Sequence, residues 1–196
     1  MNSKKLTTSQ YLFPFILITS LFFLWGMAHG MLDVLNKHFQ EILSISKAKS
    51  GLIQFAMYMA YFSMALPAGY IMKRFGYRKG IILGLLLFSL GAILIAATTG
   101  LESFWLFLIF LFILGCGLAT LETAANPYTT KLGPSESAER RINFSQSFNG
   151  LAWTVGPLIG IFIYNNNSSV EGEKLKSLMM PYAIIGLAVL AVALVF

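Results

Sequence analysis

The sequence predicts an all-α membrane protein of six transmembrane helices. Three observations carry that expectation. Hydrophobic residues make up 57% of the chain against 11% charged, a balance that excludes an ordinary soluble domain. The apolar residues run in long blocks of membrane-spanning length. The Lys and Arg sit between the blocks, which speaks against a nucleic-acid surface despite the formal charge of +6. Cys116 is the only cysteine, so no intrachain disulfide forms; inside an apolar block it reads as a small packing residue.

The blocks place the helices at 11–36, 50–73, 79–99, 103–130, 141–165 and 178–196. Residues 1–10 are a polar N-terminal segment, and 11–196 form the transmembrane domain. The start is not a secretory signal, because the apolar run outlasts signal length and no small-x-small site follows. With the N-terminus in the cytoplasm, the inner segments hold nine Lys and Arg and the outer ones five. The positive-inside rule favours that orientation. The chain stops at Phe196 inside an apolar run, the finish expected of a fragment or half of a larger unit.

The first helix carries Trp25, His29 and Asp33 at four-residue intervals, hence on one face. A histidine and an aspartate one turn apart can share a proton. His29 also fits a packing role, and Asp33 an interfacial pair with Lys37. The second helix aligns Gln54, Tyr58 and Tyr61. Aromatic rings with hydroxyls suit a sugar, the ring covering C–H groups and the hydroxyl bonding, and they suit helix packing equally. Pro67 and Gly69 predict a bend near its inner end. The next loop holds Gly69, Gly76 and Gly80, expected in a tight turn between antiparallel helices. From Ile81 to Thr98 the third helix has no ionisable group, and its Gly84 and Gly91 read as packing positions.

The fourth helix holds the densest chemistry. Gly115-Cys-Gly-Leu-Ala-Thr-Leu-Glu-Thr-Ala-Ala-Asn-Pro127 places Glu122 one turn before Asn126 and Pro127. A carboxylate inside a membrane helix costs a few kcal/mol unless it faces protein or water, so Glu122 should face a cavity. The small residues around it admit a close neighbour. Pro127 is expected to bend or break the helix. A purely interhelical hydrogen-bonding role for Glu122 is the alternative. The fifth helix aligns Gln146, Asn149 and Trp153 on one face. Two amides and an indole read neutral hydroxyls without adding charge, or join helices. Residues 165–176 form a polar outer loop expected to be flexible.

Together these features resemble the major facilitator superfamily, and within it the fucose/glucose/galactose:proton symporter group. Gly69–Gly80 resembles the superfamily's signature between its second and third helices, with Lys73 in place of the usual Asp and Tyr77 in place of Arg. More specific are Leu21-Phe-Phe-Leu-Trp-Gly26 with Asp33, Gly51-Leu-Ile-Gln54, Leu121-Glu-Thr-Ala-Ala-Asn-Pro127 and Asn143-Phe-Ser-Gln-Ser-Phe-Asn149. The resemblance covers nearly the whole chain as the N-terminal six-helix half of that fold, built of two inverted three-helix repeats. It implies proton coupling by Glu122 and Asp33 and sugar contact by Gln146 and Asn149. Asn126, Tyr58, Trp153 and His29 complete the expected substrate-binding set.

The implied activity is import of a neutral monosaccharide by proton symport across the inner membrane. The expected partners are sugar, proton, lipid bilayer and a missing C-terminal six-helix half. No cofactor, metal or nucleic acid is expected, and no enzyme activity, since no nucleophile–base pair or metal-ligand cluster stands out. An N-acetylglucosamine or sodium-coupled carrier, and an assembly subunit without transport, are the alternatives.

Overall fold

The computed structural model describes residues 5–42, 44–97, 103–166 and 171–196. Six α-helices fill them: α1 (Ser9–Ile42), α2 (Lys47–Phe75), α3 (Tyr77–Ala97), α4 (Phe104–Thr130), α5 (Ala138–Asn166) and α6 (Glu171–Val195). A 3-10 turn at Ser135–Ser137 precedes α5. Among the described residues, four helices are long and apolar enough to cross a membrane, namely α2, α3, α4 and Ser9–Leu32 of α1. On α5 the Asn143, Gln146, Ser147 and Asn149 side chains dilute the hydropathy, and the described part of α6 includes a shorter apolar stretch, Met180–Val195.

Several boundaries differ from the sequence reading, for one reason. Helices extend beyond their apolar blocks, since backbone hydrogen bonding continues into polar ends. Thus α1 reaches Ile42, and α6 begins at Glu171, inside the stretch expected to be a flexible loop. Residues 167–170 of that stretch lie outside the described part, as do residues 1–4 of the N-terminal segment. Pro127 does not break α4, which runs on to Thr130. Of the three glycines expected in the α2–α3 turn, only Gly76 makes it, with φ of 83°. Gly80 leaves room for the Met72 side chain, and Gly69 faces open space.

Helix α1 packs on α5, α2 on α4, and α3 on both α4 and α6. Glycine sets the closest approaches. A Cβ on Gly91 would lie 2.5 Å from the Leu114 amide nitrogen, and one on Gly117 would overlap the Phe88 backbone. On α1, Gly26 and Gly30 do the same against α5: a Cβ on Gly26 would lie 2.5 Å from the Asn149 carbonyl oxygen. Such small-residue seams let backbones touch where lipid supplies no hydrophobic drive. A buried hydroxyl pair, Thr19 and Ser145 at 3.0 Å, adds a polar contact between α1 and α5.

The helix ends are tied at one face of the bundle. Arg141 is fully buried. Its guanidinium donates to the carbonyls of Thr129 and Thr130 at the end of α4, to those of Leu6 and Pro134, and to the Ser137 hydroxyl. The carbonyl ends of a helix favour a cation, which offsets its burial. Thr7 donates to the Leu132 carbonyl at 2.6 Å and Ser137 to that of Leu6 at 3.2 Å. The N-terminal segment and the α4–α5 turn therefore share one side of the bundle.

Candidate substrate and proton site

Two cavities adjoin around Glu122 on α4. One, of about 430 Å³, is lined by Tyr61, Ala65, Glu122, Thr123, Asn126 and Pro127 among others. The other, of about 290 Å³, is lined by Trp25 and His29 of α1, Tyr58 and Tyr61 of α2, Glu122 of α4, and Gln146, Asn149 and Trp153 of α5. Glu122 and Tyr61 belong to both.

Each helix brings its residues to this space through the 3.6-residue period. The four-residue steps from Trp25 to His29 and from Asn149 to Trp153 put each pair on one face. The α1–α5 seam then sets those faces side by side, and its contact at Gly26 falls on Asn149 itself. The imidazole of His29 stacks on the indole of Trp153, with centroids 5.5 Å apart and planes at 23°. Between α5 and α4, the Gln146 amide nitrogen donates to the Asn126 side-chain oxygen at 3.1 Å. Asn149 is buried, whereas Tyr58 and Trp153 stay substantially exposed.

Tyr61 of α2 meets His29 of α1 at this space. Its hydroxyl lies 3.3 Å from Nε2 of His29, whose Nδ1 faces the Trp25 carbonyl oxygen at 3.2 Å. Tyr61 and Glu122 both line the two cavities, so the phenol and the carboxyl share one space.

Of the residues singled out in the sequence, Glu122, Gln146, Asn149, Tyr58, Trp153 and His29 line one cavity, and Asn126 lines the adjoining one. The side chain of Asp33 lies outside the described residues; its backbone places it one turn beyond His29 on α1. Gln54 is not among the lining residues, although it shares the α2 face. Tyr61 and Trp25 belong to the site without having been selected for it. The signal for Tyr61 was its three-residue step from Tyr58. The arrangement combines one carboxyl group, several amides, phenol hydroxyls and indole rings in a partly enclosed space. It can bind a small neutral polyol and hold a proton.

A match to the Major Facilitator Superfamily covers residues 14–196. The chain is 40% identical over 172 residues to the L-fucose-proton symporter of Escherichia coli, covering 88% of this chain and 39% of that protein. It is 36% identical over 199 residues to a glucose/galactose transporter of Brucella abortus, covering 100% of this chain and 48% of that one. It superposes on the transporter FucP, crystallised in the outward conformation, with a TM-score of 0.79 and 38% identity, covering 94% of this chain and 49% of FucP. The chain thus spans about half the length of these relatives, which are transporters and not enzymes. The apolar six-helix chain and the match over almost its whole length lead to one conclusion: this protein belongs to the Major Facilitator Superfamily.

Proposed function

We propose that this chain is the N-terminal six-helix half of a sugar–proton symporter of the inner membrane. It takes up a neutral monosaccharide of the fucose, glucose or galactose type by alternating access. The observation that carries the reading is the shared cavity: Glu122 opens onto the same space as Gln146, Asn149 and Trp153. A second six-helix half supplies the opposite wall, and sugar binds between the halves. Gln146, Asn149 and Asn126 bond the sugar hydroxyls, and Tyr58, Trp153 and His29 border the ring. Glu122, with Asp33, carries the proton. Protonated, Glu122 donates to the sugar and permits the loaded carrier to reorient; release of sugar inside frees the proton.

Counterflow tests this directly. Sealed vesicles holding the complete carrier should exchange labelled fucose, glucose or galactose for unlabelled sugar inside. Absence of exchange for all three overturns the reading. Glu122→Gln keeps the shape of the side chain and its hydrogen bonding but cannot titrate. It should therefore exchange sugar yet fail to accumulate it against a gradient. Accumulation retained in Glu122→Gln would move coupling to Asp33.

The charge asymmetry supports a cytoplasmic N-terminus. With Cys116 replaced by Ala, a cysteine at Lys47 should react with an impermeant thiol reagent from outside, and one at Ser135 should not. The reverse pattern overturns the orientation.

A further inference from the structure

We propose that Pro127 turns the backbone carbonyl of Thr123 into a fixed hydrogen-bond acceptor for one hydroxyl of the transported sugar. The proposal rests on the sugar-transport reading and adds a contact that no side chain supplies. It starts from covalent chemistry. In an α-helix each carbonyl accepts from the N–H four residues on. Proline has no N–H, and its ring crowds the carbonyl four residues before it. Helix α4 nevertheless continues through Pro127 to Thr130. The Thr123 carbonyl therefore loses its helical donor while the helix around it stays intact.

The position of this gap gives it a use. Ala119, Glu122, Thr123, Asn126 and Pro127 line the cavity of about 430 Å³, so both residues flanking the missing bond face it. Ala124 and Ala125, on the other side of α4, are fully buried. The Thr123 hydroxyl does not fill the gap, since it donates to the Ala119 carbonyl at 2.8 Å. A backbone carbonyl at membrane depth needs a donor, and an interrupted helical bond is tolerated where it lines a cavity. Pro157 of α5 offers the contrast. It deprives the Trp153 carbonyl in the same way, but that oxygen packs on α1: a Cβ at Gly30 would lie 3.1 Å from it. One freed carbonyl is covered by a neighbouring helix; the other opens on the cavity that Glu122 lines.

The chemistry of a sugar calls for such a group. Each hydroxyl is a donor as well as an acceptor, so the site must offer acceptors. The side-chain oxygen of Asn126 is already engaged, accepting from Gln146 at 3.1 Å. Glu122 changes from acceptor to donor when it takes a proton. A backbone carbonyl accepts at every pH. The Thr123 carbonyl thus receives one sugar O–H in both protonation states of Glu122, and holds the sugar in place while the carboxyl gains or loses its proton.

Binding to the complete carrier tests this, with whichever of fucose, glucose and galactose it exchanges. Pro127→Ala supplies the missing N–H and closes the helical bond. Its melting temperature without sugar should be unchanged or higher. Its affinity for the sugar should fall about tenfold. Analogues with one hydroxyl at a time replaced by fluorine, which cannot donate, locate the contact. One analogue should bind the wild type about tenfold more weakly than the sugar does, and Pro127→Ala should weaken that analogue no further. Placing L-lactate at position 127 makes a backbone ester, which lacks the N–H and also lacks the proline ring. It should bind sugar as the wild type does. Pro127→Val supplies the same N–H with more bulk and gives the same comparison if Pro127→Ala folds poorly. Unchanged affinity in the N–H variants, losses that add for every analogue, or a loss that the ester does not restore would each overturn the proposal. Exchange of none of the three sugars by the wild type would instead overturn the transport reading, and the proposal with it.

Discussion

Helices α3 and α4 occupy the same place in the repeat scheme as α6 and α1, yet among the described residues only the first pair closes fully. Along α3–α4 the backbones meet through Gly84, Gly91 and Gly117. Contact between α1 and α6 is slight by comparison. An apolar crevice of about 650 Å³ opens among α1, α5 and α6, lined by Phe15, Ile16, Phe23, Phe148, Leu151 and Val192 among others. The difference lies in where small residues stand. The α1 glycines Gly26 and Gly30 face α5, and Gly186 of α6 faces Ala92 and Ile93 of α3. Bulky side chains are left between α1 and α6. In a bilayer, contact depends on packing and not on exclusion of water, so the placement of glycine decides which interface is tight.

Breaking the tight interface should have the largest effect. Gly117→Val inserts a branched side chain where even a Cβ overlaps Phe88, and should cost about 3 kcal/mol or more. Thermal melting of the complete carrier in detergent measures it. Next comes the α1–α5 seam, where Gly26→Val should cost about 1–3 kcal/mol of stability. It should also weaken sugar binding, because it pushes on the residue that supplies the Asn149 amide. Normal sugar affinity in Gly26→Val would separate the seam from the site. Gln146→Ala should spare the melting temperature and weaken sugar binding by about 1–3 kcal/mol, the cost of unpaired hydroxyls in a dry site. The reverse, normal binding with lowered stability, would make the Gln146–Asn126 bond a structural link only.

The smallest effect belongs to the crevice. Leu151 is 54% exposed, so Leu151→Ala removes little packing and should cost less than about 1 kcal/mol. A loss as large as that of Gly117→Val would show the α1–α6 side to be as tightly packed as its counterpart.

Much of this was legible along the chain. Six apolar blocks are six helices, and the faces of α1, α4 and α5 follow from residue spacing. Gln146, Asn149 and Trp153 meet Glu122 because periodicity and a carboxylate within an apolar span both demand a shared interior. Helix ends were less legible, since polar residues such as Lys37 and Glu171 are compatible with helix outside the lipid. The pairing of α1 with α5 through Gly26 and Gly30 was not read, although their four-residue spacing was available. The bond from Tyr61 to His29 joins residues 32 positions apart on different helices. No local pattern encodes such a meeting; it depends on how the helices are placed against one another.

The clasp around Arg141 has a consequence for how the chain is made. Leu6 is synthesised 135 residues ahead of the guanidinium that binds its carbonyl. During translation the N-terminal segment has no such partner until α4 and the start of α5 have emerged. Only then do the Leu6, Thr129 and Thr130 carbonyls find a common donor. The Leu6 segment is therefore secured late, and the closing of that clasp requires that helices α1 to α4 have already been synthesised.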